Sequence, residues 1–182
     1  MQRGTVLPKG AVSYDGFQKV YETTLLASAP SVTISGLNGD VDVEYKVVLR
    51  AISAVDATSI VISPNNDTTT YGFQQIYGSV TDIIAERSTT FTGFYAGYAD
   101  ANHLIQTDMV ICAKTGFVRT ALNNMLEDIT GTTVTYVTLQ GLSYDDTSTN
   151  ITSLVFNADK TNSDGRLGIG TYIALYAKKA RT

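Results

Sequence analysis

The sequence predicts an all-β protein: an antiparallel β-sandwich of jelly-roll type, with about eight to ten strands and at most one short helix. Three observations predict it. Apolar residues recur with period two over most of the chain, and short apolar runs are separated by Gly, Asn and Asp clusters. Threonine, serine and 11 tyrosines are prominent while tryptophan is absent. β-Branched and aromatic side chains suit a pleated, half-buried surface. A chain of 182 residues fits one such domain. At that size roughly 70% of the unfolded surface can be buried, so no disulfide or metal is needed to hold a core.

The elements follow in order. Residues 1–18 carry Gly4, Pro8, Gly10 and Gly16 with no sustained periodicity, and are expected to form an extended N-terminal arm. Residues 19–182 form the single sandwich domain. Val32 and Ile34 share one face of a short strand, and Gly36 to Asp40 is a turn cluster. Val43, Tyr45, Val47, Leu49 and Ala51 then alternate with Glu44, Lys46 and Arg50, the clearest half-buried strand in the chain. Ser59 to Ser63 is an apolar run stopped by Pro64-Asn-Asn-Asp67, and another strand begins at Tyr71. Val80 to Glu86 and Thr89 to Tyr95 are weaker strand candidates, and Gln106 to Lys114 is mostly apolar on both faces. Residues 117–129 stand apart: Val118, Leu122, Met125 and Ile129 recur at helical spacing, which places the one short helix there. Strands resume at Thr132 to Leu139, Ile151 to Asn157 and Gly170 to Lys178. The last has two apolar faces and belongs inside a sheet.

Composition narrows the chemistry. Net charge is −4 and no basic run exceeds Lys178-Lys179, so the clustered cations that nucleic acid demands are missing. No stretch is long and apolar enough for a membrane helix. Cys112 is the only cysteine and reads as a small core residue, which rules out an intrachain disulfide or a CxxC metal knuckle. His103 is the only histidine, in a loop with no marked nucleophile, so catalytic residues and cofactors are expected to be none. Asp40 and Asp42 could offer oxygens to calcium, but they lack an EF-hand ligand series and suit a tight turn. Gly165-Arg-Leu-Gly-Ile-Gly170 leads into a strand instead of a helix, so it is a turn and not a phosphate loop. Thr92 to Tyr98, with Phe94, Tyr95 and Tyr98 beside glycines, has three readings: core filling, a subunit interface, or a platform for a sugar.

Several stretches resemble a β-sandwich family that recurs in virion proteins of tailed bacteriophages. They are Ile34 to Asp40 running into Tyr45 to Leu49; Pro64-Asn-Asn-Asp67 followed by Tyr71-Gly72; Ile111 to Gly116; Asn150 to Leu154; and Gly168 to Tyr176. The resemblance implies a capsid decoration (cement) protein, or a head-fibre or tail and baseplate part that touches the host. It carries no catalytic residue. The short arm and the lack of a shaft-forming region favour decoration. The expected partners are the major capsid protein, other virion proteins and further copies of the chain, a trimer being favoured, with a glycan as the alternative ligand. The protein is expected to be made in the host cytoplasm and to reside in the virion. The residues expected at the interface are Val6, Leu7, Tyr14 and Phe17 on the arm, and Phe94, Tyr95 and Tyr98 in the aromatic segment.

Overall fold

A computed structural model describes residues 16–54, 57–69, 71–79, 81–159 and 165–180. Val6, Leu7 and Tyr14 lie outside them. The elements are β1 (Phe17–Thr24), β2 (Ser31–Ser35), α1 (Gly39–Asp42), β3 (Glu44–Ile52), β4 (Thr58–Pro64), β5 (Tyr71–Gly78) and β6 (Ile83–Phe91). They continue with β7 (Phe94–Ala99), β8 (Leu104–Cys112), β9 (Arg119–Thr130), β10 (Thr133–Tyr144), β11 (Ser153–Asp159) and β12 (Tyr172–Lys178). Phe17 and Gln18, assigned to the arm from sequence, open β1 and pair with Lys178 and Ala177 of β12.

Two antiparallel sheets pack as a sandwich. The larger is eight-stranded, ordered β1-β12-β3-β8-β9-β10-β5-β6; the smaller is four-stranded, ordered β2-β11-β4-β7. The chain passes back and forth between them, while the hairpins β5–β6 and β9–β10 both extend the large sheet beyond β8. The core is where period-two alternation aims apolar residues between the sheets. Tyr45, Val47 and Leu49 of β3, Ile105, Met109 and Ile111 of β8, and Ile173 and Leu175 of β12 come from the large sheet. Ile60 and Ile62 of β4, Phe94 of β7, and Leu154 and Phe156 of β11 meet them. Each such side chain contributes roughly 1.5–3 kcal/mol through loss of contact with water. The alternating strand predicted over 43–51 is β3, and the strand with two apolar faces is β12, which lies between β1 and β3.

Three expectations are overturned. Strand β8, expected to be mostly apolar on both faces, is polar outward, where Gln106 and Asp108 are exposed and Asp108 pairs with Lys46. The helix expected over 117–129 is instead β9, a twelve-residue strand. Its inward positions are Arg119, Ala121, Asn123, Met125 and Glu127, whereas Leu122 points outward and is 55% exposed. Polar residues on the inner face and apolar ones outside scrambled the period-two signal and left a spurious helical one. The helix that does form among the described residues is a single turn, α1, inside the predicted 36–40 turn region and just beyond it. Cys112 is exposed, not a core residue. Met109 and Ile111 take the inward positions of β8, so alternation sends Cys112 to the outer face.

Candidate functional site

The residues that line a tyrosine-rich cleft are aimed by two β-bulges. In β7 the register against β4 shifts between Ile60/Gly97 and Val61/Tyr95. Gly97 has φ +126°, and a Cβ there would sit 2.5 Å from Ile105 Cγ2, so only glycine fits. Simple alternation would send Tyr95 and Tyr98 to opposite faces, three residues apart; the extra residue of the bulge brings both to one cleft. The second irregularity is in β9, where the register against β8 shifts between Leu104/Ile129 and Gln106/Leu126. There Asp128 adopts φ 54°. This turns two consecutive acidic residues, Glu127 and Asp128, into buried positions.

Glu127 ties the two bulged strands together. Tyr95 Oη and the Tyr98 backbone N–H each donate to its Oε2 at 2.9 Å, and Thr138 Oγ1 donates to Oε1 at 2.7 Å. Around it opens a cleft of about 220 Å³ lined by Gln75, Tyr77, Glu86, Tyr95, Tyr98, Glu127 and Tyr136. Tyr77 and Tyr136 stand edge to face, with ring centroids 5.9 Å apart and planes at 80°. Gln75 Nε2 donates to Glu86 Oε2 at 3.2 Å, and Gln75 Oε1 accepts from Gln140 Nε2 at 3.1 Å. Burial, then the charge of Glu127, pushes the Tyr95 hydroxyl far above its ordinary range. The Tyr98 hydroxyl, which donates to Asp100 at 2.7 Å, is pushed up to about 12 by that bond and by burial. Both hydroxyls are therefore protonated donors at neutral pH.

The structure divides the residues expected at the interface. Tyr95 and Tyr98 line the cleft. Phe94 does not join them: it is 0% exposed, packed edge-on against Tyr71 at 5.4 Å, and fills the core. Phe17 is half-buried at the start of β1, with the Lys178 ammonium 5.4 Å from its ring centroid. Tyr77, Glu86, Glu127 and Tyr136 were missed. They are scattered over β5, β6, β9 and β10, and no local pattern announces a cleft that depends on cross-strand register.

The sites weighed for ions are accounted for by hydrogen bonds. Asp40 Oδ1 accepts from the Thr115 N–H at 2.9 Å, and Asp42 Oδ2 accepts from Tyr45 Oη at 3.0 Å, so both brace α1. Asp100, His103 and Asp128 bring their ligand atoms within 4.8 Å of one another. Asp128, however, already takes the Asp100 N–H, His103 Nδ1 and Thr135 Oγ1, a knot that joins the β7–β8 loop to β9 and β10. Burial pushes the Asp128 carboxyl up, but these hydrogen bonds outweigh it and hold it below its ordinary 3.8. In the 165–170 segment, Leu167 bridges Ala29 and Ser53, and Gly170 has φ 86°, a turn that leads into β12 as predicted.

A second acidic cluster lies at the end of β4 and β10. Tyr144 Oη donates to Asp67 Oδ2 at 2.7 Å, and this bond chiefly lowers the Asp67 pKa. Burial raises Asp146, but Ser148 and Thr149 donate to its carboxylate and pull it well below the ordinary range. Folded-state values depressed in this way contribute stability that is complete above the unfolded pKa and is lost as pH falls through the folded one. Melting temperature is thus expected to hold level above about pH 5 and to fall steadily below about pH 4, with Asp146→Asn flattening part of that slope. Thermal circular dichroism across that range tests it, and a level profile down to about pH 2 contradicts it.

The outer face of the large sheet has two halves. Over β3 and β8 it is polar, with Lys46 Nζ 2.9 Å from Asp108. Over β9, β10, β5 and β6 it is polar at one end, where Thr120, Ser143, Gln74 and Arg87 lie, and apolar at the other, where registered pairs build two rows. One runs Leu126, Val137, Gly78, Ile83, and the other Asn124, Leu139, Ile76, Ala85. Ile76, Val137 and Leu139 are 55%, 57% and 51% exposed, and Ile83 is 83% exposed. On β5 and β10 these residues alternate with Gln75, Tyr77 and Tyr136, so the cleft and the apolar rows occupy opposite faces of the same strands. Set against known protein families, curated proteins and solved structures, the chain matches none. No helix among the described residues is long and apolar enough to cross a membrane.

Proposed function

We propose that the protein is a non-enzymatic structural component of a tailed-phage virion: a capsid decoration protein that binds the outer head surface and stabilises contacts between major capsid subunits. The single observation that carries this reading is the pair of exposed apolar rows on β9, β10, β5 and β6. A contiguous apolar surface of this kind gains free energy by being covered, at about 25 cal/mol per Å² removed from water. The eight strands that remain without the two hairpins, β1-β12-β3-β8 over β2-β11-β4-β7, we read as a jelly-roll body. In this reading the added hairpins supply the contact face. A protein that binds only the assembled shell stabilises it by mass action. The double substitution Val137→Glu/Leu139→Glu is expected to weaken retention on empty heads roughly 30-fold or more, as loss of a central interface contact does, with an unchanged circular dichroism spectrum. Retention equal to the parent chain overturns the reading.

A second reading, a receptor-binding module of a head fibre or tail, is favoured by the tyrosine-lined cleft on the opposite face. A ligand screen of the parent chain against Tyr95→Ala/Tyr98→Ala separates the two readings. Ligand binding lost in the variant supports the second, and full capsid retention by the same variant supports the first.

A further inference from the structure

We propose that the cleft between β5, β7 and β10 is a cation–π site for a quaternary ammonium group. The inference deepens the receptor-binding reading of the cleft and is independent of the capsid reading. Its walls are tyrosine rings: Tyr77 and Tyr136 meet nearly at right angles, and Tyr98 closes another side beside Tyr95, whose ring also packs against Phe73 and Phe91. Two perpendicular rings form a corner that presents π faces to one point, whereas a sugar ring needs a flat platform. An electron-rich corner attracts a cation within about 6 Å of the ring centroids.

Charge points the same way. Among the lining residues Glu86 and Glu127 are acidic and none is basic. Glu127 is 6% exposed, with three hydrogen-bond donors, from Tyr95, Tyr98 and Thr138, fixing its position in a partly desolvated setting. Glu86 is exposed on β6, at the open side. Acidic ligands, including acidic sugars, are repelled by both carboxylates. Volume limits the ligand further: about 220 Å³ is below the 300–1,000 Å³ typical of sites that enclose a drug-sized molecule. A compact head group fits, and a chain of sugar rings does not. Because both oxygens of Glu127 already accept hydrogen bonds, the buried end of the cleft rewards a cation that needs no donor partner, which is what a fully alkylated ammonium is.

Isothermal titration of the full chain tests the site with tetramethylammonium, choline, the uncharged choline isostere 3,3-dimethyl-1-butanol, methyl glucoside and N-acetylneuraminic acid. Choline is expected to bind saturably and at least about ten-fold tighter than its isostere. Tyr136→Ala and Glu86→Gln are each expected to weaken it about three- to ten-fold, while Tyr136→Phe, which keeps the ring, stays within about two-fold. Leu139→Glu, on the other face of the sheet, leaves it unchanged. Equal binding of choline and its isostere overturns the proposal, as does the absence of saturable tetramethylammonium binding. Tighter binding of methyl glucoside overturns it but leaves the receptor reading standing, and silence from every ligand removes both. The comparison of choline with its isostere uses the parent chain alone, so it holds even if a substituted chain fails to fold.

Discussion

Truncating Phe94 to alanine is expected to cost about 3–5 kcal/mol of stability. The residue is 0% exposed and sits where β7 of the small sheet meets the start of β5 and the end of β10. Its ring meets Tyr71 edge-on at 5.4 Å and Tyr144 at 6.3 Å, while Tyr71 and Tyr144 stack at 4.6 Å with planes 8° apart. Removing it leaves a cavity bounded by two tyrosines whose hydroxyls are pinned, Tyr71 to the Asp67 carbonyl and Tyr144 to the Asp67 carboxylate. Pinned rings cannot swing in to fill the gap, so the full cavity term applies. In a chain of this length each kcal/mol moves the melting temperature by about 2–4 °C, which gives a fall of roughly 6–20 °C. Thermal circular dichroism measures it. A loss under about 1 kcal/mol would show that the three-ring cluster does not hold the sheets together.

Arg119→Ala is expected to have a loss of similar size, about 3–5 kcal/mol. Arg119 is 0% exposed, on the inward face of β9. Its Nε donates to the Ala113 carbonyl at 3.3 Å, its Nη2 donates to the Thr149 carbonyl, and its Nη1 lies 3.9 Å from Asp146. The guanidinium also sits 5.8 Å from the Tyr144 ring centroid. Alanine leaves two carbonyls without these donors, an acidic group without its counter-charge, and a void. Arg119→Met separates the terms, because it fills the volume without the charge. If the polar contacts dominate, the methionine variant is nearly as unstable as alanine; if packing dominates, it recovers most of the loss. Chemical denaturation of the three proteins decides, and an alanine variant as stable as the parent refutes the assignment.

How far the sequence reached is clearest when β3 is set beside β9. In β3 the inward residues are Tyr45, Val47, Leu49 and Ala51, so the alternation in the sequence is the alternation in space. In β9 the inward residues include Arg119, Asn123 and Glu127, which bond to Thr149, Tyr95 and again Tyr95, partners far away in the chain. Asn123 Nδ2, for example, donates to the Tyr95 carbonyl at 3.0 Å. Such partners exist only after the hairpins have found their register, so a local reading took the leftover apolar spacing for a helix. The aromatic segment shows the same division. Its composition marked it as special, yet sorting Phe94 into the core and Tyr95 and Tyr98 into the cleft depended on a bulge at Gly97.

The amino-acid sequence alone determined the all-β class, the turn positions at Pro64 to Asp67 and Gly165 to Gly170, and the shortage of groups that titrate near neutral pH. These follow from local sterics and residue chemistry, which need no partner strand. Only the tertiary structure decided that two hairpins widen one sheet, that their outward residues line up as apolar rows, and that four tyrosines and two glutamates converge on their inward side. The reason is that register converts positions remote in the chain into neighbours about 5 Å apart across strands, and a one-residue bulge reverses which face a side chain takes.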